Sequence, residues 1–366
     1  MIPISKPLIG EEEKREVMRV LESGMLAQGQ KVKELEELFG RVCGTEYAVA
    51  TTNGTTALHA ALYSLGIKAG DEVVTTPFTF VATANPVLMQ GAKVVFADID
   101  ENTYNLDPER VAGKLTEKTA ALLPVDLYGL PFDGKLNSIA KERGLAVLED
   151  ACQAIGAARD GKSGGALGDA AAFSLYATKN ITCGEGGMIT TDSQEAYEKA
   201  KMFRHHGQSE KTRYEYVDIG YNYRMCDILA AIALEQLKRL EKTTQKRNEN
   251  AKKLSDGLAG LDGVALPAVP GGARHAFHQY TIRIGKDAKV PRDTFVERMK
   301  AAGVGVGVYY PKPLHLHPHF LRMGYRAGDF PVCERIAAQV VSLPVHPQLS
   351  DEDIEKIVRE ARAALS

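Results

Sequence analysis

From about residue 47 to residue 191, short β-forming or small apolar runs alternate with stretches long enough to form helices. No other feature constrains this chain as much. The runs predict strands over 47–51, 72–75, 93–97, 120–124, 146–149, 170–174 and 188–191, with helices over 56–66, 80–91, 107–114 and 133–144. Crossovers of a dozen or more residues join parallel strands, so the expected fold class is α/β, a mostly parallel sheet with helices on both faces. In such sheets ligands bind outside the carboxyl ends of the strands. Polar residues at those ends therefore carry most weight: Asn53 to Thr56, Asp126, Glu149 with Asp150, and Ser174.

The pattern changes after residue 226. Residues 227–258 read as one long helix with apolar Ile228, Leu229, Ile232, Leu234, Leu237 and Leu240, and its later, charged part is expected to bridge to a second lobe. A chain of 366 residues exceeds one domain of ~150 residues. The expected division is a large cofactor-binding domain, 1–240, and a small α+β C-terminal domain, 241–366. In the latter, a break at Gly271-Gly272 precedes a βαβ-like set over 277–284, 292–302 and 304–309, and helical patterns follow around 331–341 and 351–365.

Composition excludes several function classes. With 45 basic and 47 acidic side chains the net charge is −2, so no global pull towards nucleic acid or anionic lipid exists. No apolar run reaches the ~18 residues of a membrane span. Residues 1–10 lack a basic stretch followed by an apolar one, so no secretory signal is expected. The five cysteines are widely spaced without a CxxC pair, which fits a reducing cytoplasm rather than a disulfide framework or a zinc site.

Three segments carry chemistry, and each has a bland reading. Lys179 follows the strand ending at Ser174 and precedes the Gly-rich turn Gly184-Glu185-Gly186-Gly187. A lone lysine is ordinarily a solvated surface charge. Here the flanks are apolar and the position is the sheet edge, where a desolvated lysine can attack carbonyls and form a Schiff base. Glu149-Asp150 ends a buried strand and could simply cap a helix. A carboxylate there could also partner a cationic ring nitrogen, as pyridoxal phosphate requires. Asn53-Gly54-Thr55-Thr56 turns a strand into a helix, which is either an ordinary N-cap or a phosphate cradle. Each signal is weak alone; the set of three is specific.

With these segments in view, the chain resembles the DegT/DnrJ/StrS-type sugar aminotransferases, fold-type I pyridoxal phosphate enzymes that aminate nucleotide-linked keto-sugars. The match runs from Ile4 to the C-terminus. It is most specific at 54–58, 149–157, 174–187 and Gly220-Tyr221-Asn222-Tyr223-Arg224. The resemblance implies a seven-stranded mixed sheet and pyridoxal 5′-phosphate as cofactor. Lys179 would be the Schiff-base lysine and Asp150 the partner of the pyridine nitrogen. Gln153 would lie near the 3-hydroxyl, Phe80 would stack on the ring, and Gly54, Thr55, Thr56 and Ser174 would bind the phosphate. Asn222 matches a residue that reaches the phosphate from the neighbouring subunit, implying a homodimer with shared active sites. Tyr309, Tyr310, His315 and Arg224 would face the substrate, since Tyr310 to His315 is similar to a family stretch near the sugar. Cys152 stands where the family usually has Ala.

Ala177-Thr178 before Lys179, and Glu185 in the turn, are similar to the branch that aminates C4; the C3 branch more often has Pro-Gly and Asp there. The implied reaction is amination of a UDP- or other NDP-linked 4-keto sugar by L-glutamate, in polysaccharide or glycan sugar biosynthesis. A C3 aminotransferase and a non-catalytic cofactor-binding regulator remain alternatives. His315, His317 and His319 would share one side if extended, as metal ligands can. Pro318 and the lack of nearby acids favour a substrate-facing loop, and no metal is expected. Gly303-Val304-Gly305-Val306-Gly307 does not fit a dinucleotide fingerprint.

Overall fold

The β-runs of the first half become one sheet because each is too apolar to leave either face in water. The computed structural model describes residues 1–209, 212 and 214–366. Its main strands are β1 (Tyr47–Thr51), β2 (Glu72–Thr75), β3 (Lys93–Phe96), β4 (Thr119–Leu123), β5 (Ala146–Asp150), β6 (Ala170–Ser174) and β7 (Gly187–Thr191), then β8 (Val264–Ala265), β9 (Tyr280–Ile284) and β10 (Val340–Leu343). The principal helices are α1 (Glu11–Ser23), α2 (Gln30–Cys43), α3 (Gly54–Ser64), α4 (Lys135–Arg143), α5 (Gln194–Arg204), α6 (Asp227–Lys238), α7 (Leu240–Leu258), α8 (Arg292–Ala301), α9 (Pro331–Ala337) and α10 (Asp351–Leu365).

The seven-stranded sheet has the order β1-β7-β6-β5-β4-β2-β3. All neighbours are parallel except β7, which runs antiparallel to both β1 and β6. Separate apolar clusters cover its faces. One joins Leu58 and Leu62 of α3 to Phe78, Phe96 and Leu123, and another joins Leu35 and Phe39 of α2 to Phe173, Met188 and Leu237. The Asp227 carboxylate fixes the start of α2 by accepting from the backbone N–H groups of Gly29, Lys31 and Val32 at 2.8, 3.1 and 3.1 Å, an anion against a helix N-terminus. In a second region β8, β9 and β10 form an antiparallel sheet. Its core packs Tyr280 and Ile282 against Phe295 of α8, Leu254 of α7 and Ile357 of α10.

Four expectations need correction. The long helix over 227–258 is two helices that abut at Arg239, whose backbone leaves helical geometry at φ −103°, ψ 1° while its guanidinium reaches the buried Glu13. The helix over 80–91 is a 3₁₀ turn, Val81–Thr83, then the short helix Asn85–Met89, because Pro86 has no N–H to give the preceding turn. Residues 304–309 make only isolated bridges, Val304 to Ile2 and Gly307 to Ser342, since glycine at 303, 305 and 307 offers a strand nothing to pack. The third strand is instead β10, in a stretch whose apolar run reads as helix; the helix there ends at Ala337.

Candidate active site

The carboxyl ends of the parallel strands, with the loops that follow them, wall a cavity of about 570 Å³. That is a size for a cofactor with part of a substrate. At one end, α3 starts immediately after β1. The Asn53 side chain accepts from the Thr56 N–H at 3.0 Å and the Thr56 hydroxyl returns a bond to the Asn53 carbonyl at 2.8 Å. This closes the helix end and leaves Gly54 and Thr55 facing the cavity beside Ser174. Two glycines allow that packing. A Cβ on Gly187 would come within 2.2 Å of the Asn53 carbonyl oxygen, and one on Gly54 within 2.9 Å of the Ser174 Cβ.

Asp150 ends β5 and is 4% exposed. Its carboxylate accepts the Thr83 hydroxyl at 2.6 Å and the Cys152 N–H at 3.2 Å, so it is oriented before any ligand arrives. Gln153 is held at both ends: its Oε1 accepts from the Tyr128 N–H at 2.8 Å, and its Nε2 donates to the Tyr310 hydroxyl at 3.2 Å. Lys179 lies in the loop between β6 and β7, which is closed by Leu175 N–H to Gly186 O at 2.8 Å and Lys179 N–H to Tyr176 O at 2.9 Å. Burial lowers the Lys179 pKa from its usual value, and the neighbouring Cys152 and Asp150 oppose that effect. Phe80 and Tyr310 close a further side with ring centroids 6.2 Å apart.

Of the residues singled out in the sequence, Gly54, Thr55, Phe80, Asp150, Gln153, Ser174, Lys179, Tyr309 and Tyr310 line this one cavity. Thr56 does not, because its hydroxyl serves the helix cap. Asp126 and Glu149 do not either: Glu149 accepts from the Gly165 and Leu167 N–H groups, and Asp126 from the Phe132 N–H. Asn222 is exposed and bridges His205 outside the cavity, and Arg224 contacts His205 Nδ1 at 2.7 Å.

His315 departs from expectation. It is fully buried, with Nε2 2.9 Å from Glu334 Oε1 and its ring edge on Phe330. The segment is a 3₁₀ turn, Leu314–Leu316, rather than an extended loop, which turns His315 into the core while His317 and His319 face solvent. Among the described residues no group of three His, Cys, Asp or Glu could hold a metal.

Sequence reasoning missed Thr83, His278 and Gln279. Thr83 lies 67 positions from the carboxylate it orients. Only the general rule about strand ends could have drawn attention to the loop after β2. His278 and Gln279 line the cavity, and His278 Nδ1 and Gln279 Oε1 are buried without partners. Burial, with help from Lys179 and Arg247, holds the His278 imidazole well below its usual pKa.

The donor set fits pyridoxal phosphate. A helix N-terminus with the Thr55 and Ser174 hydroxyls suits a phosphate, a pre-oriented carboxylate suits a protonated ring nitrogen, and a desolvated lysine suits a carbonyl. Comparison with known proteins agrees. The DegT/DnrJ/EryC1/StrS aminotransferase family matches residues 7–362. GDP-perosamine synthase of Caulobacter vibrioides is 35% identical over 98% of this chain and 96% of its own length. Spore coat polysaccharide biosynthesis protein SpsC of Bacillus subtilis is 39% identical over 99% and 96%. The structure of Helicobacter pylori PseC, an aminotransferase involved in pseudoaminic acid biosynthesis, superposes with a TM-score of 0.93 at 28% identity, covering 100% of this chain and 99% of that one. The family implies pyridoxal phosphate as cofactor, and the chain belongs to the DegT/DnrJ/EryC1/StrS aminotransferases as a pyridoxal phosphate-dependent sugar aminotransferase.

Proposed function

We propose that the enzyme moves the amino group of L-glutamate to the C4 carbonyl of a nucleotide-linked 4-keto sugar, carried on UDP or another nucleoside diphosphate, for polysaccharide biosynthesis. The observation that carries this reading is that Thr178, Lys179 and Glu185 line the same cavity. Two of the residues by which the loop is similar to the C4 branch, Thr178 and Glu185, therefore sit where a sugar can meet them. GDP-perosamine synthase, named for a GDP-linked product, supports a nucleotide-linked substrate. SpsC supports the polysaccharide setting.

Pyridoxal phosphate, when bound, supplies an electron sink for the carbon that loses its proton. On this chain Gly54, Thr55 and Ser174 would hold the phosphate, Asp150 the ring nitrogen, Gln153 the ring hydroxyl and Phe80 one ring face. Lys179 is the proton carrier: burial lowers its pKa and so favours the free amine that takes a proton from the donor's Cα and returns it. Thr83 keeps the Asp150 charge aimed while this happens. Both half-reactions use one site, so ping-pong kinetics are expected.

The enzyme acts as a homodimer in which Asn222 and Arg224 of each chain complete the partner's site. Tyr216, Val217 and Ile219 beside them are 61–72% exposed, an apolar stretch of the kind that subunit contacts cover. The boundary between cofactor-binding and small domains lies at residue 240, beside the α6–α7 break. All five cysteines are free, in keeping with work in the cytoplasm.

The test incubates the purified enzyme with ¹⁵N-labelled L-glutamate and a panel of UDP-, GDP- and dTDP-linked keto-sugars, and locates the label by NMR. Nitrogen at C4 is expected. Nitrogen at C3 overturns the positional assignment, and a bound cofactor whose visible spectrum ignores glutamate means a regulator. Light scattering should give twice the chain mass.

A further inference from the structure

The four residues that lead into β9 pass along the main cavity, and their backbone is clamped from two sides. The Ala276 N–H donates to the Gly129 carbonyl at 2.8 Å and the Gln279 N–H to the Tyr128 carbonyl at 3.2 Å, both in the loop after β4. From α7, Arg247 Nη1 donates to the Phe277 carbonyl at 3.0 Å. Glycine at 129 permits the approach, since a Cβ there would lie 3.0 Å from the His278 backbone nitrogen.

Between these clamps Phe277 has φ +43°, a left-handed conformation that a bulky residue adopts only at a cost. The twist separates neighbouring side chains. Phe277 is 8% exposed and stacks on His275 with ring centroids 4.0 Å apart. His278 and Gln279, the next two residues, reach the cavity wall instead. Strain of this kind persists where the surroundings over-determine the backbone, and it gathers where a side chain must meet a ligand.

Neither side chain is used by the protein itself. His278 Nδ1 and Gln279 Oε1 are buried without partners, and among the described residues no hydrogen bond engages His278 Nε2 or Gln279 Nε2. Buried polar groups are ordinarily paired, so these two lack a partner that a ligand can supply. The cofactor's phosphate, ring nitrogen, hydroxyl and ring face already have other residues, which leaves the substrate. Since Nδ1 is the buried nitrogen, Nε2 is the one within a ligand's reach. Burial beside Lys179 and Arg247 keeps the imidazole neutral. A neutral imidazole and a primary amide offer donors and acceptors without charge. They complement hydroxyls, which both give and take a hydrogen bond, whereas carboxylates gain most from charged partners. The influence of Lys179 on the imidazole also places His278 near the amine around which the reacting carbonyl must sit.

We propose that His278 Nε2, with the Gln279 amide beside it, binds the sugar hydroxyl on the carbon next to the reacting carbonyl, making the pair a specificity-determining site for the acceptor. This rests on the reading of the enzyme as one that aminates a keto-sugar.

The test follows the two half-reactions separately in the holoenzyme by the cofactor's visible spectrum. Two acceptors are compared: the keto-sugar identified by the product analysis, and its analogue with that hydroxyl replaced by hydrogen. The wild type should prefer the first by about fivefold or more. His278→Asn is too short to place a nitrogen where Nε2 lies, and its preference should fall below about twofold, because only the intact sugar loses a contact. His278→Gln, whose amide can reach that point, should restore part of the preference. Gln279→Leu should lower it by a smaller factor. The glutamate half-reaction of His278→Asn should change less than about twofold.

A wild type without the preference, or a folded His278→Asn that keeps it, overturns the proposal. So does equal slowing of both half-reactions with both sugars, which would make His278 a brace for the cavity wall. If His278→Asn does not fold, Gln279→Leu and diffraction from wild-type crystals soaked with the amino-sugar product decide. The hydroxyl oxygen within hydrogen-bond distance of His278 Nε2 supports the site; that oxygen held by other residues, with water at His278, overturns it. A wild type that takes nitrogen from glutamate yet passes it to no keto-sugar sinks the functional reading and the proposal with it, whereas an unchanged preference in an active enzyme sinks the proposal alone.

Discussion

Acid should destabilise this enzyme in a defined window, because three histidines are buried in their neutral form. His59, His275 and His346 are 1%, 4% and 3% exposed. Burial lowers their pKa from 6.5 to about 4, about 3 and about 4 respectively. A folded-state pKa below the unfolded one gives stability that is present above pH 6.5 and lost as pH falls towards the folded value. Between pH 7 and pH 5 each histidine protonates in the unfolded chain but not in the native one, costing about 1.9 kcal/mol, or roughly 5.5 kcal/mol for the three. Asp126 works in the opposite direction. Burial, then the neighbouring Glu149, raises its pKa well above the usual carboxylate value, and a native state that keeps this proton gains up to about 2.7 kcal/mol over the same interval. Glu149, its pKa raised by the same burial, offsets the loss further, while His278, held well below its usual pKa, adds to it; the histidine contribution alone is a large share of a typical folding free energy. Urea unfolding at fixed protein concentration, repeated from pH 7.5 to 5, measures it. His275→Asn retains an acceptor for the Phe277 N–H, which His275 Nδ1 accepts at 2.9 Å, and should reduce the slope by about 1.4 kcal/mol per pH unit. A flat profile, or a slope untouched by His275→Asn, would refute the reasoning.

The site supports four further expectations. Lys179→Ala should lower turnover by at least about three orders of magnitude, since among the described residues no other lysine lines the main cavity; steady-state rates near wild type would remove its assigned role. Asp150→Asn keeps the shape and deletes the charge, so turnover should fall about 10²- to 10³-fold with little change in circular dichroism, and an unchanged rate would leave Asp150 a structural cap. Thr83→Val removes the 2.6 Å bond to Asp150 at nearly constant volume, which should cost about 1.5–3 kcal/mol in urea unfolding and slow turnover. Lys179→Ala and Asn222→Ala, each impaired alone, should partly complement when mixed, with activity in at most half the sites of each hybrid; demonstrated subunit exchange without recovery refutes shared sites.

The sheet was legible because parallel strands buried on both faces must be short apolar runs, and turns of a different composition bound them. Each of the seven expected strands lies within a residue or so of an observed one. What escaped was decided by partners far along the chain. Nothing local marks the break at Arg239, since no glycine or proline stands there; Glu13, more than two hundred residues earlier, draws the side chain away. Val340–Leu343 becomes a strand because Tyr280–Ile284 lies opposite it, while its own apolar run has no period that separates strand from helix.

The same division runs through the site. Residues that act from a strand end or its following loop, such as Asp150, Ser174 and Lys179, were readable because topology alone brings strand ends together. Thr83 and His278 were not, since the fold alone brings Thr83 to the Asp150 carboxylate and His278 to the cavity wall. His315 shows the converse: a stretch with the right residues buries its histidine once the backbone tightens into a 3₁₀ turn. Charge sharpens the point. Among the described residues the main cavity sets one lysine against Asp150 and Glu185, yet a nucleotide-linked sugar and an acidic donor are both anionic. On the proposed reading, the exposed loop that carries Asn222 and Arg224 brings a further cation to the partner's site.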